Sequence, residues 1–478
     1  MEPDIKVRLH LYLRQRGRQA LYDIAIKNGS IIDPETLKIT VGNVYVKNGS
    51  VADITRDDRE AAETVNALGQ YVSPGFIDIH THIEGNASNG ALMAQQGVTT
   101  VLNGNCGMGP DDPAGFLEGQ GKKGFIINQL ELAGATVLRK HAGVTDPFRP
   151  LNGEQTRKAC AMLEEQLQRG CAGLSFGLEY CPGTSEKELL ALSGVAARYG
   201  RLVAVHTRSD CYSGLGALDE AININRVTGA PVQVSHVVYQ YGYGMMRQAL
   251  QMIGDAVDSG YDVSCDSGMY TSFATYIGTP VFGKGCFEKW KCSYGSILAA
   301  SGPDAGHRMT KEIFEKYRKD YPNEVAIALI GVPDEISMAF GLPYMMVSSD
   351  AGVNQTGDPS MGHPQDAGTF PRFLYREVKE EGRLRLADAV RRITLLPAKR
   401  LGLGKKGRIA VGNDADITVF DLGKIKDNSQ FSYEGKCDAL PDGISAVIVN
   451  GKTAVMDKKV LCVSAGKAIR DSSERWTY

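Results

Sequence analysis

The sequence predicts an α/β fold: a (β/α)8, TIM-like barrel with a small β-sandwich module formed from both chain termini. Three observations lead to this prediction. Eight short apolar runs alternate with helical patterns through the middle of the 478-residue chain. Runs of alternating apolar and polar residues, separated by turn signals, occur towards both ends. Side chains of the kind that bind metals follow several apolar runs, and barrel proteins place such groups at the carboxyl ends of their strands.

The first β region is predicted at residues 22–72, after an N-terminal extension (1–21) to which no function is assigned. A second region of the same character is predicted at 404–478. Both contain Asn-Gly, the dipeptide preferred at tight hairpin turns. These pairs lie at 28–29, 48–49 and 450–451. We expect the two regions to form one small β domain.

The barrel itself is predicted at residues 73–403, where buried parallel strands alternate with helices. The helical pattern at 185–200 begins with the capping-box spacing of Ser185 and Glu188 and ends at Gly200. The predicted strands are 75–80, 98–103, 125–130, 172–176, 202–206, 231–236, 261–265 and 344–350.

A long insertion, 267–343, separates the seventh and eighth predicted strands. It contains a predicted helix at 309–321 and a short strand at 325–331. Long loops at the C-terminal face of such a barrel usually cover the active site, so the insertion is expected there.

Composition excludes several classes of function. The charges nearly cancel, with 53 Lys and Arg against 55 Asp and Glu, and no basic block suggests a nucleic-acid partner. The apolar runs are far shorter than the roughly 20 residues that span a membrane. The ten cysteines show no disulfide spacing, and the first 20 residues lack the apolar stretch of a secretory signal. A cytoplasmic protein is therefore expected, and no feature predicts an oligomeric state.

Metal-ligand residues follow five of the predicted strands. In the segment DIHTH, the period-two spacing of two histidines points both rings to the same side of the chain. The set consists of His80 and His82 after the first strand, Cys106 after the second, His206 after the fifth, His236 after the sixth and Asp350 after the eighth.

Such a set at one mouth of a barrel predicts a metal centre. Unpaired polar atoms at buried strand ends would cost several kcal/mol, roughly 2–7 for each group, so a ligand is needed to satisfy them. Imidazole and thiolate donors favour zinc over magnesium. The alternative for each residue is an ordinary buried thiol, a satisfied histidine or a helix cap.

In the segments that contain these residues, and in several others, the chain resembles the amidohydrolase superfamily and, more closely, the N-acyl-D-amino-acid deacylase (D-aminoacylase) family. The resemblance covers essentially the whole chain after residue 22. The segments that carry it are SPGFIDIHTH, NGNCG, GLSFGLEYCPG, HTR, SH, SSDAG, GHP, GTFPR and GRIAVGNDADITVFD.

The resemblance implies zinc-dependent hydrolysis of the amide bond of N-acyl-D-amino acids. It implies one tight zinc site, at Cys106, His206 and His236, and a second, weaker or empty position near His80, His82 and Asp350. Asp350 would act as general base and then general acid.

For the substrate carboxylate, the resemblance implies contacts with Arg372 and Tyr270. The roles of Glu179 and His363 stay open. The chain departs from the family pattern at HTRSD (206–210), where HMRDE is usual. It also has no lysine just after the sixth-strand SH, so a preference for acidic side chains is in doubt.

Other functions remain alternatives at this point. A related amidohydrolase could act on a dipeptide, a cyclic amide or an L-configured N-acyl substrate, because sequence alone does not fix chirality. The fourth predicted strand contains no lysine that could be carboxylated to bridge two metals, which argues against a hydantoinase or dihydroorotase arrangement. A catalytically silent binding module is disfavoured because every expected ligand is present.

Overall fold

The computed structural model describes residues 21–352 and 362–470. Apart from Leu21, the predicted N-terminal extension lies outside the described residues, as does the end of the predicted C-terminal β region. The strands are β1 (Tyr22–Asp33), β2 (Lys38–Lys47), β3 (Ser50–Thr55), β4 (Ala61–Asn66), β5 (Tyr71–Pro74), β6 (Phe76–Asp78), β7 (Val98–Asn103), β8 (Asn128–Gly134), β9 (Gly173–Gly177), β10 (Leu202–His206), β11 (Val232–Val234), β12 (Val263–Ser267), β13 (Ser272–Tyr276), β14 (Ile297–Ala299), β15 (Val325–Leu329), β16 (Met345–Val347), β17 (Ile417–Phe420), β18 (Ile444–Val449), β19 (Lys452–Met456) and β20 (Lys459–Val460).

Helices separate most of the barrel strands. A π-helical turn (Leu374–Glu380) directly follows the helix Gln365–Phe373. The α-helices are α1 (Ala87–Gln95), α2 (Pro113–Lys123), α3 (Ala135–His141), α4 (Gly153–Gln168), α5 (Glu186–Arg198), α6 (Gly214–Thr228), α7 (Val237–Tyr241), α8 (Met246–Asp258), α9 (Cys286–Trp290), α10 (Lys311–Asp320), α11 (Pro333–Ala339), α12 (Gln365–Phe373), α13 (Leu386–Ile393) and α14 (Leu395–Arg400).

Eight parallel strands form the barrel, in the order β6-β7-β8-β9-β10-β11-β12-β16. The first and last strands meet just beyond their ends: the Asp350 N–H donates to the His80 carbonyl at 3.0 Å, and the His82 N–H donates to the Ala351 carbonyl at 2.7 Å. Barrel closure therefore brings two of the predicted ligand segments side by side. The predicted fold class is confirmed.

The third barrel strand lies later in the chain than predicted. The apolar run at 125–130 predicted it, but β8 spans Asn128–Gly134. The run was misleading because the strand also buries polar side chains, among them Gln129 and Glu131. The apolar residues at 125–127 therefore lie just before this strand and not within it.

The two termini form one nine-stranded sheet, in which β5 pairs antiparallel with β17. The Asn-Gly pairs after β2 and β18 turn hairpins as predicted. The pair at Asn28-Gly29 does not, because β1 runs through it. There the register shifts between Ile26 and Gly29, and Asn28 has φ of 63°, as in a β-bulge.

The insertion forms a small antiparallel sheet, β13-β15-β14, and contains the predicted helix as α10. Its short helix α9 reaches the mouth of the barrel, where Lys289 contacts Glu179. Among the described residues, no helix has the length and apolar character needed to cross a membrane.

A buried ion pair next to the small sheet is hydrogen-bonded to the barrel. The Lys406 ammonium lies 2.6 Å from Asp416 Oδ2, which also accepts a hydrogen bond from Asn128 of β8 at 3.0 Å. The other Asp416 oxygen accepts the Asn450 N–H at 2.7 Å. Both charged side chains are buried, whereas Asp414, the second partner of Lys406, is partly exposed.

Replacing Asp416 with Asn is expected to lower the free energy of unfolding by about 3–5 kcal/mol, because it leaves a buried ammonium without its main counter-charge. Chemical denaturation of the variant measures the loss. Asp414→Asn is the matched control and should cost less, because solvent already screens that carboxylate. Equal losses in the two variants would contradict the assignment of Asp416 as the main partner.

Candidate functional site

The predicted ligand residues come together at the carboxyl ends of the barrel strands. All six side chains are buried. His80 and His82 follow β6, Cys106 follows β7, His206 ends β10, and His236 and Asp350 follow β11 and β16. The period-two spacing and the strand-end positions in the sequence therefore identified side chains that are neighbours in the fold.

Cys106, His206 and His236 form a first triangle of donor atoms. The Cys106 sulfur lies 3.6 Å from His206 Nδ1 and 3.5 Å from His236 Nε2, and these two nitrogens are 3.1 Å apart. Two imidazole nitrogens this close either share one proton, as donor and acceptor, or direct both lone pairs at a common ion.

His80, His82 and Asp350 form a second triangle. Asp350 Oδ1 lies 3.3 Å from His80 Nε2 and 3.2 Å from His82 Nε2. His80 Nε2 is also 3.3 Å from the Cys106 sulfur, so the two triangles are adjacent. A further set of ligand atoms, those of His80, Cys106 and His236, also lies within 4.8 Å of one another, as do those of His80, His82 and Asp350.

Three of these residues have left-handed backbone conformations: φ is 54° at Cys106, 33° at His236 and 59° at Asp350. Such conformations cost of order 1–3 kcal/mol for a residue with a side chain, and they cluster at functional sites. Asp266 of β12 helps to hold one of them, because its Oδ1 accepts the His236 N–H at 2.8 Å.

Glycines allow the loop that carries Cys106 to pack closely. A Cβ on Gly104 would lie 2.4 Å from the Leu132 carbonyl oxygen, and one on Gly107 would lie 2.8 Å from the Gly177 nitrogen. Both glycines also have positive φ, 74° in each case. The glycines of NGNCG therefore let the backbone of this loop lie directly against the neighbouring strands β8 and β9.

Burial controls the protonation of the first triangle. It lowers the pKa of His206 and of His236 to about 3, so both imidazoles are neutral and have lone pairs available. Burial, with nearby Asp350 and Asp266, raises the pKa of the Cys106 thiol well above its usual range. A thiolate here needs a cation beside it, and metal coordination supplies one.

Asp350 is held as a carboxylate. Burial alone would raise its pKa, but hydrogen bonds with His80 and His82 outweigh that effect and hold the pKa well below the usual range. Burial, the largest single effect, opposes a charge on His82, but the hydrogen bond to Asp350 and the nearby carboxylates together outweigh burial and raise the pKa of His82. The second triangle therefore combines one anion with imidazoles that stabilise it.

The donor set fits a small metal ion. A cavity of about 20 Å³ is lined by His206, His236 and Asp350, which is room for a single ion or water molecule. His206 and His236 bring imidazole nitrogens to this cavity and Asp350 a carboxylate oxygen, and the Cys106 sulfur lies 3.5 Å from His236 Nε2. This combination of donors suits ions of borderline softness. These residues can thus hold a metal, with Cys106 supplying the negative charge.

A larger pocket of about 390 Å³ opens beside the second triangle and is lined in part by His82 and Asp350. Phe116 and Met108 contribute apolar surface to it. Glu84 also lines it and accepts the Gly104 N–H at 3.2 Å. A small organic molecule in this pocket would contact Asp350 directly.

The sequence reading missed several buried carboxylates around the ligands. Asp78 of β6 accepts the N–H groups of His80, at 3.1 Å, and Ser349, at 3.2 Å, and burial raises its pKa to about 7. Glu179, whose role the sequence leaves open, is buried, and its Oε2 lies 3.2 Å from His206 Nε2. The position of an acid at a strand end, as for Asp78, is the sequence feature that could have indicated these carboxylates.

Arg372 and Tyr270 lie together but not in the pocket lining. The Arg372 guanidinium stacks 4.6 Å from the centre of the Tyr270 ring and pairs with Asp427 at 3.2 Å. The Tyr270 hydroxyl donates to the same carboxylate at 2.8 Å. His363 packs against Tyr270 and contacts the Ser272 hydroxyl at 2.8 Å, so it lies in this cluster rather than among the metal-ligand atoms.

Comparison with known proteins points to one group. Residues 325–454 match the profile of the Amidohydrolase family. D-aminoacylase of Alcaligenes xylosoxydans xylosoxydans is 27% identical over 94% of this chain and 97% of its own length. N-acyl-D-glutamate deacylase of the same organism is 29% identical over 91% of this chain and 93% of its own length.

The fold agrees with these similarities. The crystal structure of N-acyl-D-glutamate deacylase from Bordetella bronchiseptica, complexed with zinc and a phosphonate inhibitor, superposes with a TM-score of 0.83. The match covers 94% of this chain and 100% of the other, at 27% identity.

Proposed function

Since the chain belongs to the D-aminoacylase family of the amidohydrolase superfamily, we propose that it hydrolyses the amide bond of N-acyl-D-amino acids. The products are a carboxylate and a free D-amino acid, and the reaction depends on zinc. The proposal is supported most by one observation: two adjacent triangles of metal-ligand atoms share the barrel mouth with a pocket that Asp350 lines.

The spacing of the donor atoms supports zinc. Ligands placed about 2.0–2.3 Å from zinc in a tetrahedron stand about 3.3–3.8 Å from one another. The distances among Cys106, His206 and His236 are 3.1, 3.5 and 3.6 Å, two within this range and one slightly shorter, so these residues would hold the tight ion. When bound, zinc supplies Lewis acidity and lowers the pKa of a water molecule to about 7. His80, His82 and Asp350 would form the second, weaker position.

Asp350 is the proposed proton carrier. It is a carboxylate at neutral pH, and it lies on the wall of the pocket where the amide would bind. Asp350 accepts a proton from the attacking water and later donates it to the departing nitrogen. His80 and His82 orient the carboxylate by sharing its Oδ1 atom.

Recognition of the substrate carboxylate stays a prediction for Arg372 and Tyr270. In this structure both bind Asp427, so that role requires Arg372 to exchange its partner. Within the pocket lining, Tyr180 and Tyr276 carry hydroxyl groups that could donate hydrogen bonds to a carboxylate.

Paired substrates test the reaction. We expect N-acetyl-D-amino acids to be hydrolysed at least about tenfold faster than their L forms, since one misplaced contact of about 1.4 kcal/mol accounts for that factor. Release of free amine from matched D and L pairs is the measurement, with chelator-treated enzyme as the control. Faster turnover of L forms, dipeptides or cyclic amides would show that the proposed substrate class is wrong. Activity that survives complete zinc removal would contradict zinc dependence.

The cytoplasmic location and the absence of a nucleic-acid partner stay predictions.

A further inference from the structure

Glu179 stands immediately behind His206. Its Oε2 lies 3.2 Å from His206 Nε2, while the opposite ring nitrogen, Nδ1, faces Cys106 at 3.6 Å. A carboxylate accepts hydrogen bonds and donates none, so it favours the tautomer with its proton on Nε2. That tautomer leaves the Nδ1 lone pair directed at the proposed ion. The atom of Gln240 that lies 3.2 Å from His206 Nε2 is its side-chain NH2 nitrogen, which is a donor and also hydrogen-bonds Glu179. Glu179 is therefore the acceptor for the ring N–H.

The insertion supplies the counter-charge for Glu179. Lys289, on α9, lies 2.9 Å from Glu179 Oε1 and 2.6 Å from Asp210 Oδ1. The next residue, Trp290, donates its indole N–H to the other Asp210 oxygen at 2.6 Å. Asp210 thereby anchors this short helix outside the barrel, and Glu179 connects the helix to His206 on β10.

We propose that Glu179 and Lys289 are positioning residues that orient His206 for metal binding, so that the insertion sets the metal affinity of the site. Partners behind a histidine ligand fix its tautomer and ring orientation, and their loss typically weakens metal binding about 10–100-fold. The inference rests on the metal site of the proposed function and is independent of its substrate.

Zinc affinity tests this directly, without any substrate. Wild-type protein and the variants Lys289→Met and Glu179→Gln are stripped of metal and titrated with zinc against a coloured chelator. Both variants are expected to bind zinc about 10–100-fold more weakly than wild type. Lys289→Arg keeps the charge and should recover affinity, whereas Lys284→Met, at an exposed lysine of the same insertion, should not change it.

Thermal melting of the metal-free proteins separates positioning from support of the fold. If melting falls while zinc affinity holds, the network stabilises only the insertion, and the proposal is wrong. If Lys289→Met fails to fold, Glu179→Gln decides, because it preserves the shape of the side chain. Absence of zinc binding in the wild type would instead count against the zinc site of the proposed function.

Discussion

Replacing Asp350 with Asn is expected to reduce kcat by about 10²–10⁴-fold, the usual contribution of a positioned acid or base. Asn has nearly the shape of Asp but cannot carry the proton from water to the leaving nitrogen. Zinc bound at Cys106, His206 and His236 should be retained, because none of these side chains changes. Steady-state kinetics on an N-acetyl-D-amino acid, with zinc content measured on the same sample, provides the test.

The control for this variant is Asp111→Asn, which removes a carboxylate from an exposed site. Its kcat should match that of the wild type. An Asp350→Asn enzyme with kcat within tenfold of wild type would rule out Asp350 as the proton carrier. Loss of bound zinc together with activity would show instead that the carboxylate mainly holds metal.

Cys106→Ala is expected to release the tight zinc and to lower activity on the order of 10²–10⁴-fold, as several kcal/mol of metal assistance are lost. The thiolate is the only anionic donor proposed for the first triangle, and the neutral imidazoles of His206 and His236 hold a divalent ion poorly without it. Alanine retains a Cβ, so the left-handed backbone at this position is no more strained than before.

Cys265→Ala is the matched control, since this thiol is also buried on the barrel but belongs to the hydrophobic core. That variant should lose some stability and keep both zinc and activity. Metal analysis of the purified proteins, followed by the same hydrolysis assay, distinguishes the two. Full zinc occupancy in Cys106→Ala would remove the cysteine from the proposed ligand set.

Much of the barrel and the cluster of metal-ligand side chains at its mouth could be predicted because they depend on local patterns. A short apolar run predicts a buried strand, and the polar residue that follows it must lie at the strand end. His206 and Asp350 follow that logic directly. The logic failed at β8, where the buried side chains of Gln129 and Glu131 are polar and interrupt the apolar pattern.

The surroundings of the site depend on long-range contacts that no local pattern encodes. Lys289 reaches Glu179 across 110 residues of sequence, from a short helix with no distinctive spacing. Arg372 and Tyr270 were placed near the substrate by resemblance, yet in the fold both are engaged by Asp427, 55 and 157 residues further along the chain. Side-chain partners of this kind become visible only when the chain is folded.

The left-handed backbones at Cys106, His236 and Asp350 also bear on how such a protein can evolve. Glycine at any of these positions would relieve backbone strain of roughly 1–2 kcal/mol. It would also remove one of the proposed metal donors or the proposed proton carrier. A lineage freed from selection for catalysis could therefore become more stable simply by accumulating glycine at the barrel mouth. This chain keeps cysteine, histidine and aspartate at all three positions and so keeps reactivity in place of stability.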